Sequence, residues 1–391
     1  MVQGESNGAL AKVEATYSQR DLQAQELKKE GKKVIGYFCI YPVIEMLTAL
    51  DLVPYRILGD MKEPITKADA CLPTVVCPFV RSALDLGLKG KDDFLDGMVM
   101  AHGCEVGEKM AHIWRTYINL PYFHFIDIPH TTHRAAQNQF KEQLLDFKKS
   151  LELFTASKLT PEKLKEAIDV HNQQRALVRQ LYELRKSTPP LISGVETIKI
   201  LRIITSIPVQ EGNTLLREII AEVKLRTISS SPKKKRILVW GSIIDDTPLL
   251  KTIEDLGADI VIDDTCMGSR AFFPDVEITD DPLDGLTHRY LVDLKCPRTF
   301  RDTTPDATNK NHLADLESRF GYLRDYAKEW RIDGVILQSV RFCDIHGYEV
   351  PGLGDYLDSL GLPHTYIEHD YSERSLAPIQ TRVQAFLEII S

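Results

Sequence analysis

Arg236-Ile-Leu-Val-Trp-Gly241 is a short apolar run of the kind that forms a buried strand. A stretch with helical character follows over residues 247–257, and a second apolar run, Ala258-Asp-Ile-Val-Ile-Asp263, comes directly after it. Strand, helix and strand at these lengths are typical of a unit in which the two strands lie parallel. This stretch therefore predicts an α/β fold with a wound parallel sheet.

The same alternation recurs on both sides of a helix-rich middle. Apolar runs end near Cys39, Cys104 and Cys343, another strand is predicted at 365–369, and an amphipathic helix closes the chain. Residues 42–52 read as helical, and Thr160-Pro161-Glu162 is a typical helix start. We predict two flavodoxin-like parallel-sheet domains with a helical segment between them. The expected parts are an N-terminal helical arm (1–32), a first α/β domain (33–135), the helical segment (136–230) and a second α/β domain (231–391).

A short internal repeat links the two α/β regions. Asp96-Gly-Met-Val, eight residues before Cys104, is echoed by Asp333-Gly-Val-Ile before Cys343. After a helix-length stretch, a Leu-Pro pair opens another apolar run in each copy. Two copies of one unit that face each other would place Cys104 and Cys343 across a shared cleft.

Composition excludes several classes of function. The chain has 391 residues and a formal net charge of −8, which argues against a nucleic-acid-binding surface. No run of about 18 apolar residues is present, so no membrane span is expected. The N-terminus is polar and lacks the apolar stretch of a secretory signal. We therefore expect a cytoplasmic protein, in which cysteines stay reduced and grouped thiols bind metal or do chemistry.

The placement of the cysteines indicates a site. Four of them follow predicted strands, at Cys39, Cys104, Cys266 and Cys343. Ligands of open α/β sheets bind at the carboxyl ends of the strands, so these thiols are expected to converge. The spacing of Cys71 and Cys77 differs from that of zinc knuckles, and no ferredoxin-type motif is present. A metal or iron–sulfur site is predicted; the alternative is a set of inert buried thiols.

The residues around these cysteines form an ordered series of motifs. The series comprises Gly36-Tyr-Phe-Cys-Ile-Tyr-Pro-Val-Ile-Glu45, Cys77-Pro-Phe-Val-Arg-Ser82, Gly103-Cys104-Glu105 and Arg341-Phe-Cys343-Asp344. In this order the motifs resemble the benzoyl-CoA reductase/2-hydroxyacyl-CoA dehydratase family, over nearly the whole chain. The likeness is greatest to the smaller, gamma-like cluster-bearing subunit of class I benzoyl-CoA reductases.

The resemblance implies a cofactor and its ligands. Cys77, Cys104 and Cys343 would hold a [4Fe-4S] cluster with an open position on one iron. Asp264-Thr-Cys266-Met-Gly-Ser-Arg270 and His288-Arg-Tyr-Leu, with Cys296 beyond it, look like the benzoyl-CoA reductase and double-cubane branches. Cys266 and Cys296, with Cys39 or Cys71, would then hold a second cubane in an extended cluster. The alternative is that these extra thiols only line the cleft.

Other polar residues are candidates for proton transfer and substrate binding. Glu45 and His102 are candidate proton donors, because electron entry into an aromatic ring requires a proton. Arg81 and Arg270 are candidates for contacts with coenzyme A phosphates, whose geometry suits arginine. The competing interpretations are a capping or surface carboxylate for Glu45 and a core histidine for His102.

The sequence contains neither a P-loop nor a dinucleotide-binding glycine turn. Low-potential electrons would therefore come from a partner, which in the resembled family is an ATP-hydrolysing iron–sulfur activator. The leading hypothesis is a subunit of an ATP-dependent benzoyl-CoA-type reductase that works with a homologous cluster-bearing subunit on an aromatic acyl-CoA thioester. The alternatives are a radical 2-hydroxyacyl-CoA dehydratase subunit, a double-cubane reductase of small molecules, and a non-enzymatic maturation or scaffold protein.

Overall fold

The computed structural model describes residues 8–227, 233–301 and 312–390. Eight strands lie in these ranges, β1 to β8 in chain order: Lys33–Tyr37, Leu52–Arg56, Gly97–Ala101, Tyr122–Ile126, Lys235–Gly241, Ala258–Asp264, Gly334–Val340 and His364–His369. The same ranges hold sixteen α-helices, α1 to α16: Ala9–Thr16, Arg20–Lys29, Ile44–Thr48, Pro78–Leu88, Glu105–Tyr117, Arg134–Thr155, Pro161–Glu183, Gly194–Ile204, Val209–Lys224, Pro248–Asp255, Ser269–Phe272, Pro282–His288, His312–Glu329, Asp344–Gly347, Glu349–Ser359 and Leu376–Ile389.

The strands form two four-stranded sheets with the same topology. The first has the order β2-β1-β3-β4 and the second β6-β5-β7-β8. Every pairing between neighbouring strands is parallel. Helices connect the strands in both halves. The prediction of an α/β protein with two flavodoxin-like parallel sheets is therefore confirmed.

Strand β2 corrects the prediction of a helix over residues 42–52. The helix α3 covers only Ile44–Thr48, and Asp51, with a φ of 58°, turns the chain into the strand. Every residue of β2 is buried, and the strand pairs with β1 at the edge of the sheet. Pro54 made the sequence look unlike a strand, because proline is rare within sheets except in edge strands.

The internal repeat corresponds to a duplicated hydrogen-bond pattern. In the first half, the Asp96 carboxylate accepts a hydrogen bond from the Val34 backbone N–H at 2.9 Å. In the second half, the Asp333 carboxylate accepts one from the Arg236 N–H at 2.8 Å. Each aspartate also donates its own N–H to the carbonyl of the same partner. The Asp-Gly pairs thus fix the start of the third strand against the first in both sheets.

The helical middle comprises α6 to α9, and the N-terminal helix α1 packs on it. Thr160 caps α7, as the sequence predicted, by accepting a hydrogen bond from the Lys163 N–H. The Glu222 carboxylate of α9 accepts the Leu10 N–H of α1 at 3.2 Å. The boundary expected at residues 230 and 231 lies outside the described residues, as do the two chain ends. The four-part division of the chain stays our proposal.

One hydrophobic core joins the two sheets. It contains Val34 and Met98 from the first sheet together with Ile237 and Ile336 from the second. Aromatic rings continue this contact, since Phe79 meets Tyr371 edge-on at a centroid distance of 5.5 Å. The two halves therefore pack tightly enough to enclose a site between them.

None of the helices in the described ranges combines the length and the apolar character that a membrane crossing requires.

Candidate metal centre

Six of the seven cysteines line one cavity of about 90 Å³. The cavity lies beyond the carboxyl ends of β1, β3, β5 and β7, where Phe38, Ala101, Ser242 and Val340 contribute to its wall. The six thiols are those of Cys39, Cys77, Cys104, Cys266, Cys296 and Cys343. In the part of the chain that the structure describes, Cys71 does not line this cavity. The third thiol beside Cys266 and Cys296 in the cavity wall is therefore that of Cys39. The structure thus brings the strand-end cysteines to one place; their binding of iron is still a prediction.

The three cysteines of the first predicted cluster share one structural position. Cys77, Cys104 and Cys343 each immediately precede the first residue of a helix, α4, α5 and α14 respectively. The Cys104 sulfur accepts a hydrogen bond from the Gly107 N–H at 3.3 Å. Free backbone N–H groups at a helix start favour negative charge and therefore a thiolate. These three positions suit anionic ligands.

The other three cysteines occupy a different setting. Cys39 has a φ of 76°, a conformation that costs free energy for a residue with a side chain. A Cβ at position 103 would lie only 2.7 Å from the Cys39 sulfur, so Gly103 leaves room for it. The Cys266 sulfur lies 3.7 Å from an Nη of Arg270. Cys296 is buried. This trio lies among loops and cationic groups.

The described sulfurs are not arranged around one tetrahedral ion. A single zinc ion with bonds of about 2.3 Å would hold its sulfurs about 3.8 Å apart. Among the described residues, no three cysteine sulfurs lie within 4.8 Å of one another. Six thiols around one cavity at a wider spacing fit a multi-iron cluster, in which different thiolates bind different irons.

Burial keeps five of these thiols protonated when no metal binds them. It raises the pKa of Cys39 and Cys77 to about 11 and that of Cys104 and Cys266 to about 12. Burial also raises the pKa of Cys343 well above its ordinary value, and the neighbouring Cys77 adds to the effect. A bound metal reverses this balance, because metal ligation requires thiolates and releases their protons.

A buried hydrogen-bond chain that the sequence analysis missed supports Cys343. The His346 Nδ1 lies 3.4 Å from the Cys343 sulfur, and its Nε2 lies 2.8 Å from an Nη of Arg270. Burial, together with Arg270, holds the pKa of His346 well below its ordinary value. Since arginine only donates, the neutral ring accepts at Nε2 and donates from Nδ1 to the sulfur. The three-residue spacing from Cys343 was the available signal in the sequence.

The two arginines expected to contact coenzyme A are engaged elsewhere. Arg270 is buried and forms an ion pair with Asp264 at 3.0 Å. Arg81 forms an ion pair with Asp69, and its guanidinium also donates to the carbonyl of Thr74 at 3.3 Å. Both side chains hold the protein's own loops and strands together. These intramolecular contacts argue against a role for either side chain at the phosphates.

Glu45 occupies a buried ion pair, which does not fit the expected proton donor. Its side chain is 0% exposed, contacts Arg175 and accepts a hydrogen bond from the Tyr290 hydroxyl at 2.8 Å. Burial alone would raise the pKa of Glu45, but Arg175, His171 and Arg289 outweigh it and hold the pKa at about 2. A carboxylate that is ionised at neutral pH has no proton to give. This setting argues against a proton donor and favours a structural role.

This ion pair predicts a loss of stability in acid. The pKa of Glu45 rises from about 2 in the folded chain to an ordinary 4.5 on unfolding, so its contribution is complete above about pH 5. It is lost as the pH falls towards 2, by about 3 kcal/mol in total. Urea unfolding from pH 6 to pH 3 should show a shallower pH dependence for Glu45→Gln than for the wild type. Identical slopes would contradict the assignment.

His102 lies outside the cysteine cavity wall among the described residues. Its Nδ1 is 3.1 Å from a carboxylate oxygen of Asp127. Its other neighbours include Glu105 and Glu108, whose ligand atoms lie within 4.8 Å of one another and of the ring. The structure therefore places this candidate proton donor beside an acidic group near the start of α5 rather than beside the thiols.

The fold and the cavity define an α/β protein with a thiol-lined site at the carboxyl ends of two parallel sheets. The model of one protein family, described as 2-hydroxyglutaryl-CoA dehydratase, D-component, matches residues 39–390. The chain belongs to this family.

Three relatives match over nearly their whole length. A benzoyl-CoA reductase subunit of Thauera aromatica is 27% identical, with 97% of each chain covered. The (R)-phenyllactyl-CoA dehydratase beta subunit of Clostridium sporogenes is 25% identical, with 94% of each chain covered. The beta subunit of (R)-2-hydroxyglutaryl-CoA dehydratase from Acidaminococcus fermentans is 26% identical over 92% of this chain and 93% of its own. The relatives are thus subunits of both reductases and dehydratases.

Proposed function

We propose that this chain is the cluster-bearing chain of a low-potential iron–sulfur reductase. The observation that carries the proposal is the convergence of six thiols on one cavity between the two sheets. A bound iron–sulfur cluster would supply one-electron transfer, at a potential tuned by charge, hydrogen bonds and exposure. The chain's own contribution is to hold the ligands, keep out water and set the charge around them.

The six-thiol cavity favours an extended, double-cubane cluster over a single cubane. Cys77, Cys104 and Cys343 are already sufficient for one [4Fe-4S] cluster with an open iron, as the family resemblance implies. A second trio on the same wall, formed by Cys39, Cys266 and Cys296, has no role in that arrangement. We therefore favour a double-cubane reductase that acts on small molecules.

A benzoyl-CoA-type reductase subunit is the second candidate. It is supported by the similarity to the benzoyl-CoA reductase of Thauera aromatica, at 27% identity over 97% of both chains. In that case the chain would work with a homologous cluster-bearing subunit on an aromatic acyl-CoA. A radical 2-hydroxyacyl-CoA dehydratase subunit draws similar support from the two dehydratase beta subunits.

All three functions require electrons from a partner. The sequence has no phosphate-binding loop with which this chain could couple ATP hydrolysis to electron transfer. An ATP-hydrolysing iron–sulfur activator is therefore part of the proposal.

Iron analysis of the native protein tests the proposed cluster. After purification from its host under strict anoxia, an extended cluster should give about eight irons per chain and a single cubane about four. Cys266→Ser and Cys296→Ser variants should lose iron if the second trio ligates it, whereas Cys71→Ser should retain the wild-type content. Iron-free wild-type protein would contradict the proposal, and wild-type iron content in both variants would reject the extended cluster.

Stoichiometry separates the candidate reactions. A reductase consumes electrons and ATP with every turnover, whereas a radical dehydratase needs only a catalytic activation. The protein co-purified with its partners should therefore be assayed with an aryl-CoA, a 2-hydroxyacyl-CoA and small reducible molecules, and ATP consumed should be counted per product. Product formation from the isolated chain with dithionite alone, unaffected by any ATPase, would contradict the need for an activator.

A further inference from the structure

A second chamber adjoins the cysteine cavity. It has a volume of about 50 Å³, and Arg56 and Cys266 belong to the walls of both spaces. At roughly 10–15 Å³ for each water that a cavity of this measure can hold, the chamber has room for about three or four heavy atoms. A group in it would sit one residue away from the thiols.

The wall of this chamber carries an excess of positive charge. Arg56, Arg175 and Arg289 all line it. None of the described residues in the wall bears a carboxylate; the nearest compensation is Glu45, which lies behind the wall and pairs with Arg175. Burial lowers the pKa of Arg289 to about 10, and Arg175 contributes to this decrease, yet the group stays charged at neutral pH. Asp275 also acts on Arg289 but is already paired with Arg179, so the three guanidinium groups leave the chamber cationic.

Two polar groups in this wall have no partner within the protein. The Nε of Arg56 is buried without a hydrogen-bond partner among the described residues, although another of its nitrogens reaches the Cys266 carbonyl at 3.3 Å. The amide nitrogen of Gln174 is likewise unpaired. Their residues are only 4% and 5% exposed. Leaving buried donors unpaired costs free energy, so a ligand that accepts hydrogen bonds would stabilise both.

We propose that this chamber binds a small monovalent oxyanion of about the size of formate or acetate, against the wall that it shares with the cysteine cavity. Arginine side chains match the geometry of a carboxylate, and the unpaired Gln174 amide supplies a further donor. The inference goes beyond the proposed function, because it rests on the arginines and the amide and holds for either type of cluster.

Calorimetric titration of the purified protein under anoxia tests this site. Sodium formate is compared with formamide, a neutral molecule of the same size, with the ionic strength held constant by gluconate, which is too large for the chamber. We expect formate to bind at least about tenfold more tightly than formamide, because only the anion gains from the three arginines. Equal affinities would overturn the proposal.

A matched pair of variants at Gln174 locates the site. Gln174→Glu adds a negative charge without changing the size of the side chain, and we expect it to weaken formate binding roughly tenfold or more. Gln174→Met keeps the size and the positive charge of the wall but removes the amide donor, so it should weaken binding only severalfold, by the worth of one neutral hydrogen bond. Wild-type affinity in Gln174→Glu would overturn the proposal. If that variant did not fold, the comparison of formate with formamide on the wild type would still decide whether the chamber binds an anion.

Iron analysis of the same samples keeps this test separate from that of the cluster. Formate binding by a protein without iron would contradict the proposed function and leave the oxyanion site standing. A full iron content with no preference for formate would support the proposed cluster and overturn the oxyanion site.

Discussion

Replacing Cys104 and Cys343 together with serine is expected to lower the iron content of the anaerobically purified protein roughly tenfold or more. Even changes in groups that only support a metal ligand cost about 10–100-fold in metal affinity, and these two thiols are proposed as direct ligands. Both precede a helix and line the cavity. Iron and acid-labile sulfide, measured per chain, give the result.

Serine is chosen so that a loss of iron cannot be attributed to a loss of the fold. Serine is nearly the size of cysteine and is a favoured residue at a helix start, so α5 and α14 should still form. Cys71→Ser is the matched control, because that thiol is also partly exposed but is absent from the described wall of the cavity. Circular dichroism should be the same for all three proteins. Full iron content in the double variant would show that Cys104 and Cys343 do not bind the iron.

The sequence predicted the architecture because the relevant signals are local. Apolar runs of strand length, separated by helices, predicted two parallel sheets, and the duplicated Asp96-Gly and Asp333-Gly pairs mark equivalent strand starts. The strand Leu52–Arg56 was missed because Pro54 argues against a strand unless its place at the sheet edge is known. Edge position is a property of the assembled sheet.

The cysteine cavity was predictable in part. Cys39, Cys104, Cys266 and Cys343 follow strands, and the wound topology brings such positions together. Cys296 follows no strand, and it was selected only through the family resemblance. Position relative to the strands could therefore indicate a site but could not supply its complete set of thiols.

The polar candidates were predicted least well, because their roles depend on ion pairs that no sequence motif indicates. Glu45 meets Arg175, which lies 130 positions away, and no local pattern indicates this pair. Arg270 has a partner only six positions away, Asp264, yet it also donates to the Gly241 carbonyl and to His346, which lie 29 and 76 positions away. A charged residue near a motif thus indicates function only after its ion pairs are known.

Replacing Arg175 with methionine is expected to destabilise the fold by about 3–5 kcal/mol, because it leaves the Glu45 carboxylate buried without its main counter-charge. Arg179→Met is the matched control. It lies one turn further along α7 and pairs with Asp275 at 2.7 Å, but both side chains of that pair are partly exposed, so its loss should cost no more than about 1 kcal/mol. Urea unfolding at pH 7, on samples with equal iron content, measures both.

A double variant separates the unpaired charge from the lost packing. Glu45→Leu combined with Arg175→Met removes both charges of the pair and should be more stable than Arg175→Met alone, because no carboxylate is left buried without its main counter-charge. It should remain below the wild type, since the Tyr290 hydroxyl loses the carboxylate to which it donates. An Arg175→Met variant no less stable than Arg179→Met would show that Glu45 is not held by this pair, and would restore it as a candidate proton donor.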